Sequence, residues 1–323
     1  MRVVVDDKIP YLQEALRTLA EIVALPAAAI TADAVRDADA LIVRTRTRCD
    51  AALLSGSKVR FIATATIGYD HIDTAWCEQN GIAWTNAPGC NASSVCQYVQ
   101  CALQLMEREG YLALRGSTLG IVGVGHVGSL VKQMAENLGM AVLCCDPPLA
   151  EQGVEGMAHP LIELAERCDV ITLHVPLARE GRHATYHLAD EAFFYSLKRK
   201  PLFINSSRGE VTDTEALKIA LKEGHIRQAV VDVWEHEPNI DLELLTLARI
   251  TTPHIAGYSA DGKARASQMS LNALCDFFAL PRVKAGTPPP SDTPYDVDAD
   301  SRRLKASPST FEQQRGNYPL RRE

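Results

Sequence analysis

The sequence predicts an α/β protein built on parallel sheets, and three observations carry that expectation. Short β-branched runs alternate with helix-like stretches almost from the first residue, the pattern of strands joined by covering helices. A glycine-rich turn, Gly123-x-Gly125-x-x-Gly128, follows an apolar run and opens a helical stretch. Two long segments, one after Asn91 and one from about Asp261 to Phe278, bracket the second of two strand–helix blocks.

In the first block, Val3–Val5, Leu41–Val43 and Val59–Ala63 are expected as strands, with a helix over Tyr11–Leu19. The long helix after Asn91 carries Val95, Val99, Ala102 and Met106 at three- or four-residue intervals, and Ser93 or Ser94 is placed to cap its start. The second block begins at Gly116. Its expected strands are Leu119–Val122, Val142–Cys145, Val170–Leu173, Leu202–Asn205 and Val230–Val233, with helices over Ser129–Leu138 and Thr214–Glu223. The helix over 261–278 then returns the chain to the first block. Residues 281–323 hold few apolar residues and many prolines, and the stretch PPPSDTP suits neither helix nor central strand. That composition predicts a poorly ordered tail or surface arm.

Composition bounds the function. A length of 323 residues fits about two domains at ~150 residues each. A net charge of −7 argues against a general nucleic-acid binder. Membrane insertion is not expected, because the uncharged stretch 81–106 is interrupted by Asn86, Pro88, Gly89, Asn91, Gln97 and Gln100. The valines at 3–5 are followed by two aspartates, too short a run for a secretory leader. Nine scattered cysteines form no Cys-x-x-Cys pair, as expected of reduced thiols in a cytoplasmic protein.

The glycine turn implies a dinucleotide. Gly123 permits a tight turn, Gly125 lets backbone approach a pyrophosphate, and Gly128 allows close helix–sheet packing. His126 and Val127 complete the turn, and the helix start offers free amides to the phosphates. Asp146 ends the next strand 18 residues after Gly128, placed to accept bonds from the adenosine ribose hydroxyls. Only Pro147 and Pro148 follow it, with no cation for a 2′-phosphate, so NAD is expected over NADP. No metal site is expected.

Hydride removal from an alcohol needs a base for the hydroxyl proton and a cation to hold the substrate. Histidine is the natural base, with a pKa of ~6.5. His254 stands out among nine because it lies in Thr251-Thr-Pro-His-Ile-Ala-Gly257. Arg208 lies in Asn205-Ser-Ser-Arg-Gly209, where an apolar strand ends. It is either a ligand at a carboxyl strand end or an arginine closing a turn. Glu237, in Asp232-Val-Trp-Glu-His-Glu-Pro238, is either a solvated loop acid or the carboxylate that fixes the tautomer of His254. Arg44, Arg46 and Arg48 would share one face if the strand Leu41–Val43 continued through them, suiting a doubly anionic substrate. A solvated edge, with a turn after Val43, is the alternative.

Taken in order, the glycine turn, the acid, His174-Val-Pro176, the arginine, the glutamate and the histidine resemble the D-2-hydroxyacid dehydrogenase family over about residues 1–280. The resemblance implies a Rossmann NAD-binding domain (93–256) inserted in a flavodoxin-like substrate domain (1–92 and the returning helix 257–280). Residues 281–323 would form a shortened dimerisation segment or tail, and the molecule a homodimer. Arg208 would orient the substrate carboxylate, Glu237 would pair with His254, and His254 would exchange the proton. Thr45, Thr66 and Tyr258 would contact substrate; charge and spacing, apart from the resemblance, assign a substrate phosphate to Arg44, Arg46 and Arg48. Asp146, Val175, Ser206, Ser207, Arg208, Asp232 and Gly257 would line the NAD site.

Within the family, Val4-Val-Asp-Asp7, Thr64-Ala-Thr-Ile-Gly-Tyr-Asp-His-Ile-Asp73, Ala87-Pro-Gly-Cys-Asn-Ala92, Cys145-Asp-Pro-Pro148 and Ala256-Gly-Tyr-Ser259 point to a small phosphorylated hydroxy acid as substrate. They set the chain apart from relatives acting on 3-phosphoglycerate or glyoxylate. The chain departs from the family at Val175, often threonine, at His236, often glycine, and in its short C-terminal segment. The competing expectations are another family member, such as a 3-phosphoglycerate dehydrogenase, and a non-enzymatic NAD-sensing protein on the same fold.

Overall fold

A computed structural model describes residues 1–291 and 293–323. The chain divides into two compact units. The first comprises Met1–Asn91, Ser259–Asp292 and Leu320–Glu323; the second comprises Ala92–Tyr258 and Thr293–Pro319.

The first unit holds β1 (Arg2–Asp6), β2 (Glu21–Leu25), β3 (Ala40–Val43), β4 (Phe61–Thr64) and β5 (Ala83–Thr85). They form a parallel sheet in the order β2-β1-β3-β4-β5, the flavodoxin-like order. The strand order reverses between β1 and β3, so the crevice outside their carboxyl ends is where such a sheet binds ligands. One face is covered by the helix Ala260–Phe277, whose Leu271 and Leu274 pack with Val3, Val5, Ile42 and Phe61. The Ser259 hydroxyl caps that helix by accepting from the Gly262 amide.

The second unit holds β6 (Thr118–Val122), β7 (Ala141–Cys145), β8 (Val170–Leu173), β9 (Leu202–Asn205), β10 (Gln228–Val231) and β11 (Ile250–Thr251). All run parallel in the order β11-β10-β9-β8-β6-β7. Here the reversal falls between β6 and β8, at whose carboxyl ends lie the glycine turn and His174-Val175. The strands β8 and β9 are buried along their whole length because helices cover both faces.

Two expectations are corrected and one open alternative is decided. The helix after Asn91 begins at Ala92, so Ser93 and Ser94 sit inside its first turn rather than capping it. β3 ends at Val43 and a turn follows, with the Thr47 amide donating to the Arg44 carbonyl, so Arg44, Arg46 and Arg48 form no common strand face. The tail is not a loose arm: helices Val297–Ala306 and Phe311–Gly316 pack on the second unit. Its few apolar residues are well placed. Val297 and Leu304, seven residues apart on one helix face, are buried, and Phe311 enters the same core as Leu304.

Candidate active site

The glycine turn follows β6. Gly123 has φ +87°, and a Cβ there would meet Val175 Cγ1 at 2.7 Å. A Cβ on Gly128 would meet the Gly123 carbonyl oxygen at 2.1 Å, so only glycine lets the helix His126–Asn137 approach the strand. At Gly125 a Cβ would meet nothing within 4 Å, which leaves open space where backbone must face a pyrophosphate. The first amides of the helix, including those of His126 and Val127, have no acceptor within it.

Asp146 joins the turn to β7. Its Oδ2 accepts from the Val124 amide at 2.7 Å and its Oδ1 from the Leu149 amide at 3.0 Å, capping the helix Pro147–Glu151. Each oxygen keeps a lone pair for a ribose hydroxyl. After β9, Asn205 accepts from both the amide and the hydroxyl of Ser207, and its side-chain amide donates to the Arg208 carbonyl and to Thr212. The neighbouring Ser206 hydroxyl is buried without a hydrogen-bond partner. An orphaned hydroxyl at the same carboxyl edge of the sheet as the open glycine turn fits a bound dinucleotide. Burial holds His174, bonded to Thr172, down at a pKa of about 3, so its imidazole is neutral in this wall.

The candidate catalytic residues His254 and Glu237 follow the ends of β11 and β10. His254 Nδ1 lies 2.9 Å from Glu237 Oε2, so the two residues that spacing left undecided do meet. Glu237 Oε1 accepts from the Trp234 amide at 3.0 Å. Burial by itself would raise the Glu237 carboxyl, but the His254 bond, the Trp234 amide and the Arg315 charge together hold it below the ordinary value. The ionised Glu237 therefore accepts a hydrogen bond from Nδ1–H, which fixes the tautomer with Nε2 as the basic nitrogen.

His254 adopts φ +55°, a left-handed conformation that non-glycine residues rarely take. Asp232 holds the loop there. Its Oδ1 accepts from the Thr252 hydroxyl at 2.6 Å and the Ile255 amide at 2.8 Å, and its Oδ2 from the Ala256 amide at 3.0 Å. Tyr98, wholly buried, meets the Thr252 hydroxyl at 2.8 Å, and the Trp234 indole donates to the Thr252 carbonyl. Burial raises the Asp232 carboxyl, partly offset by His254 and these donors. His236 has φ +62°, which explains why glycine suits that position.

Arg208 is half-buried after β9, with one guanidinium nitrogen donating to the Ser207 carbonyl at 2.8 Å. Tyr258 and Gly257 follow on the His254 loop. In the first unit, Arg44 follows β3 and pairs with Asp6 at the end of β1 (3.1 and 3.0 Å), a bridge across the point where that sheet reverses. Burial and the Arg44 charge push the Lys263 ammonium below its usual value. Thr45 is exposed, and Thr66 bonds the Thr64 hydroxyl at 2.6 Å, which His71 meets at 3.1 Å. Arg48 instead pairs with Asp50, the residue capping the next helix.

Sequence reasoning missed Arg315, whose Nε donates to the Tyr258 hydroxyl at 3.2 Å. One arginine among the six of residues 281–323 carries no local signal. It also missed Tyr98 and Thr252, whose pairing spans 154 residues.

The pattern described as D-isomer specific 2-hydroxyacid dehydrogenase, NAD binding domain, matches residues 97–256. An erythronate-4-phosphate dehydrogenase of Bacteroides fragilis is 54% identical over 338 residues, covering 100% of this chain and 97% of that protein. The chain belongs to the D-2-hydroxyacid dehydrogenase family. A second erythronate-4-phosphate dehydrogenase, from Porphyromonas gingivalis, is 46% identical over 346 residues and is covered to 94%. Among solved structures of D-2-hydroxyacid dehydrogenases, the Aquifex aeolicus D-lactate dehydrogenase complexed with NAD and lactic acid gives a TM-score of 0.68 at 27% identity, over 86% of this chain and 96% of that one. The NAD⁺-bound 3-phosphoglycerate dehydrogenase of Entamoeba histolytica gives 0.71 at 28%, over 86% and 95%. Like its family, this dehydrogenase uses NAD. Among the described residues no helix is long and apolar enough to cross a membrane.

Proposed function

We propose that this dehydrogenase oxidises 4-phospho-D-erythronate at C2 to 2-oxo-3-hydroxy-4-phosphobutanoate, a step towards pyridoxal 5′-phosphate. The observation that carries the reading is the His254–Glu237 pair, set in a chain that matches erythronate-4-phosphate dehydrogenases along its whole length. Bound NAD⁺ supplies the acceptor for the C2 hydride. The C2–H bond breaks with its electron pair, the C2–O bond becomes a carbonyl, and the hydroxyl proton passes to His254 Nε2. Glu237 stabilises the imidazolium formed and keeps the ring in its working tautomer.

Arg208 binds the substrate carboxylate, since a guanidinium matches it with two parallel donors. Thr45, Thr66 and Tyr258 contact the rest of the substrate. The phosphate is assigned to Arg44, whose charge is shared with Asp6. The cofactor is held by the glycine turn from Gly123 to Gly128, Asp146, Val175, Ser206, Ser207, Asp232 and Gly257. A cytoplasmic homodimer is the form in which we expect the enzyme to work.

The test is product detection by mass spectrometry after mixing the protein with NAD⁺ and either 4-phospho-D-erythronate or D-3-phosphoglycerate. The four-carbon acid should be consumed, and His254→Ala should lose about 10²–10⁴-fold in rate. Turnover of the three-carbon acid alone would assign the enzyme to another reaction of its family. Tight NADH binding with no turnover of either would favour an NAD-sensing protein.

A further inference from the structure

We propose that Arg315, delivered by the C-terminal segment, is a positioning residue for the Glu237–His254 pair, so that the tail is part of the catalytic apparatus. The proposal rests on the reading of His254 as the proton acceptor. Arg315 Nη1 lies 3.7 Å from Glu237 Oε2, the same oxygen that faces His254 Nδ1 at 2.9 Å. Its Nε donates to the Tyr258 hydroxyl at 3.2 Å, four residues beyond His254. One guanidinium thus touches both the carboxylate behind the histidine and the tyrosine that follows it.

The placement is built, not incidental. Arg315 lies one helical turn after Phe311, which is 1% exposed in the core of the second unit. Glu312, on the same helix, approaches Nη1 at 3.4 Å and tethers the group from the other side. Arg315 is itself mostly buried, and although burial disfavours its charge, Tyr258 and Glu237 favour it more, so the guanidinium is held firmly protonated.

Two consequences follow. The cation keeps Glu237 ionised and aimed, with the Trp234 amide fixing the second oxygen. It also opposes a positive charge on His254, favouring the neutral imidazole that accepts a proton. The groups facing the pair are Trp234 and Asp232 from the β10 end, Tyr258 from the His254 loop, and Arg315 with Glu312 from the C-terminal helix. Asp232 acts on His254 in the opposite sense to Arg315. Removing Arg315 therefore lets the pair take up its proton at higher pH.

The experiment compares wild type, Arg315→Gln and Arg315→Lys in NAD⁺-dependent turnover across pH, together with NMR titration of the His254 imidazole, assigned with His254→Ala. Arg315→Gln should move the acidic limb of kcat/KM upward by about 0.5–1 unit, with His254 titrating higher by a similar amount. Arg315→Lys, which keeps the charge, should recover most of that shift. An Arg315→Gln profile and titration superposing on wild type would overturn the proposal. So would equal displacement in both variants. The NMR readout needs no substrate, so it separates this proposal from the choice of substrate above.

Discussion

At the scale of single residues, the three glycines of the cofactor turn do different jobs, and the difference is measurable. A methyl at Gly125 meets no protein atom, whereas one at Gly128 runs into the Gly123 carbonyl. Gly125→Ala should leave the urea midpoint within about 0.5 kcal/mol of wild type. It should still weaken NAD binding roughly tenfold or more, about 1.4 kcal/mol, because the methyl occupies the space the pyrophosphate needs. Gly128→Ala should lose both cofactor affinity and about 1–3 kcal/mol of stability, since backbone must shift to admit the methyl. Calorimetric titration with NADH and urea unfolding distinguish the two; equal stability loss in both variants would contradict the assignment. Asp146 shows the same doubling of roles. Its carboxylate, assigned to the cofactor, is also held by the Val124 and Leu149 amides and caps a helix.

At the scale of elements, what could be read in advance divides along a physical line. Of the eight anticipated strands, β1, β3, β4, β6, β8, β9 and β10 lie inside the sheets and are apolar nearly throughout because both faces are covered. The eighth, β7, is an edge strand whose Val142–Cys145 run keeps the apolar signal because its second half is buried. The three that escaped notice, β2, β5 and β11, are all edge strands, short or partly exposed, where the apolar signal thins. In the candidate site, the glycine turn, Asp146, Arg208, Glu237 and His254 stand out in the sequence because each belongs to a local run of fixed spacing. Arg315, Tyr98 and Thr252 do not, because only the tertiary fold brings them to the pair and its loop. The tail misled for a related reason: composition averaged over it hides three apolar residues, Val297, Leu304 and Phe311, that are all buried. If the tail is part of the cooperative fold, Phe311→Ala should cost about 3–5 kcal/mol. A loss under about 1 kcal/mol in urea unfolding would instead mark it as a detachable appendage.

At the scale of the whole molecule, candidate site residues of both sheets lie at carboxyl strand ends, and in the second unit desolvation holds a histidine there neutral. His174 sits at the end of β8, beside the glycine turn, and burial lowers its pKa from 6.5 to about 3. The sign of the consequence is definite. Between those two values the unfolded chain binds a proton at this residue and the folded protein does not, so stability falls as pH falls. The contribution is fully present above pH 6.5 and declines below it, with a limiting slope of one proton, about 1.4 kcal/mol per pH unit. Glu237 adds to the acid loss only lower down, because its depressed carboxyl begins to matter below its ordinary value of 4.5. Asp232, raised by burial, acts with the opposite sign. Comparing wild type with His174→Asn cancels both, since they are present in each protein. Urea midpoints measured from pH 7.5 to 5 should fall more steeply in wild type, whatever constant offset the lost Thr172 bond introduces. Parallel curves would mean that His174 takes up its proton in the folded state, and that the wall of the cofactor site is open enough to water to hold a charge.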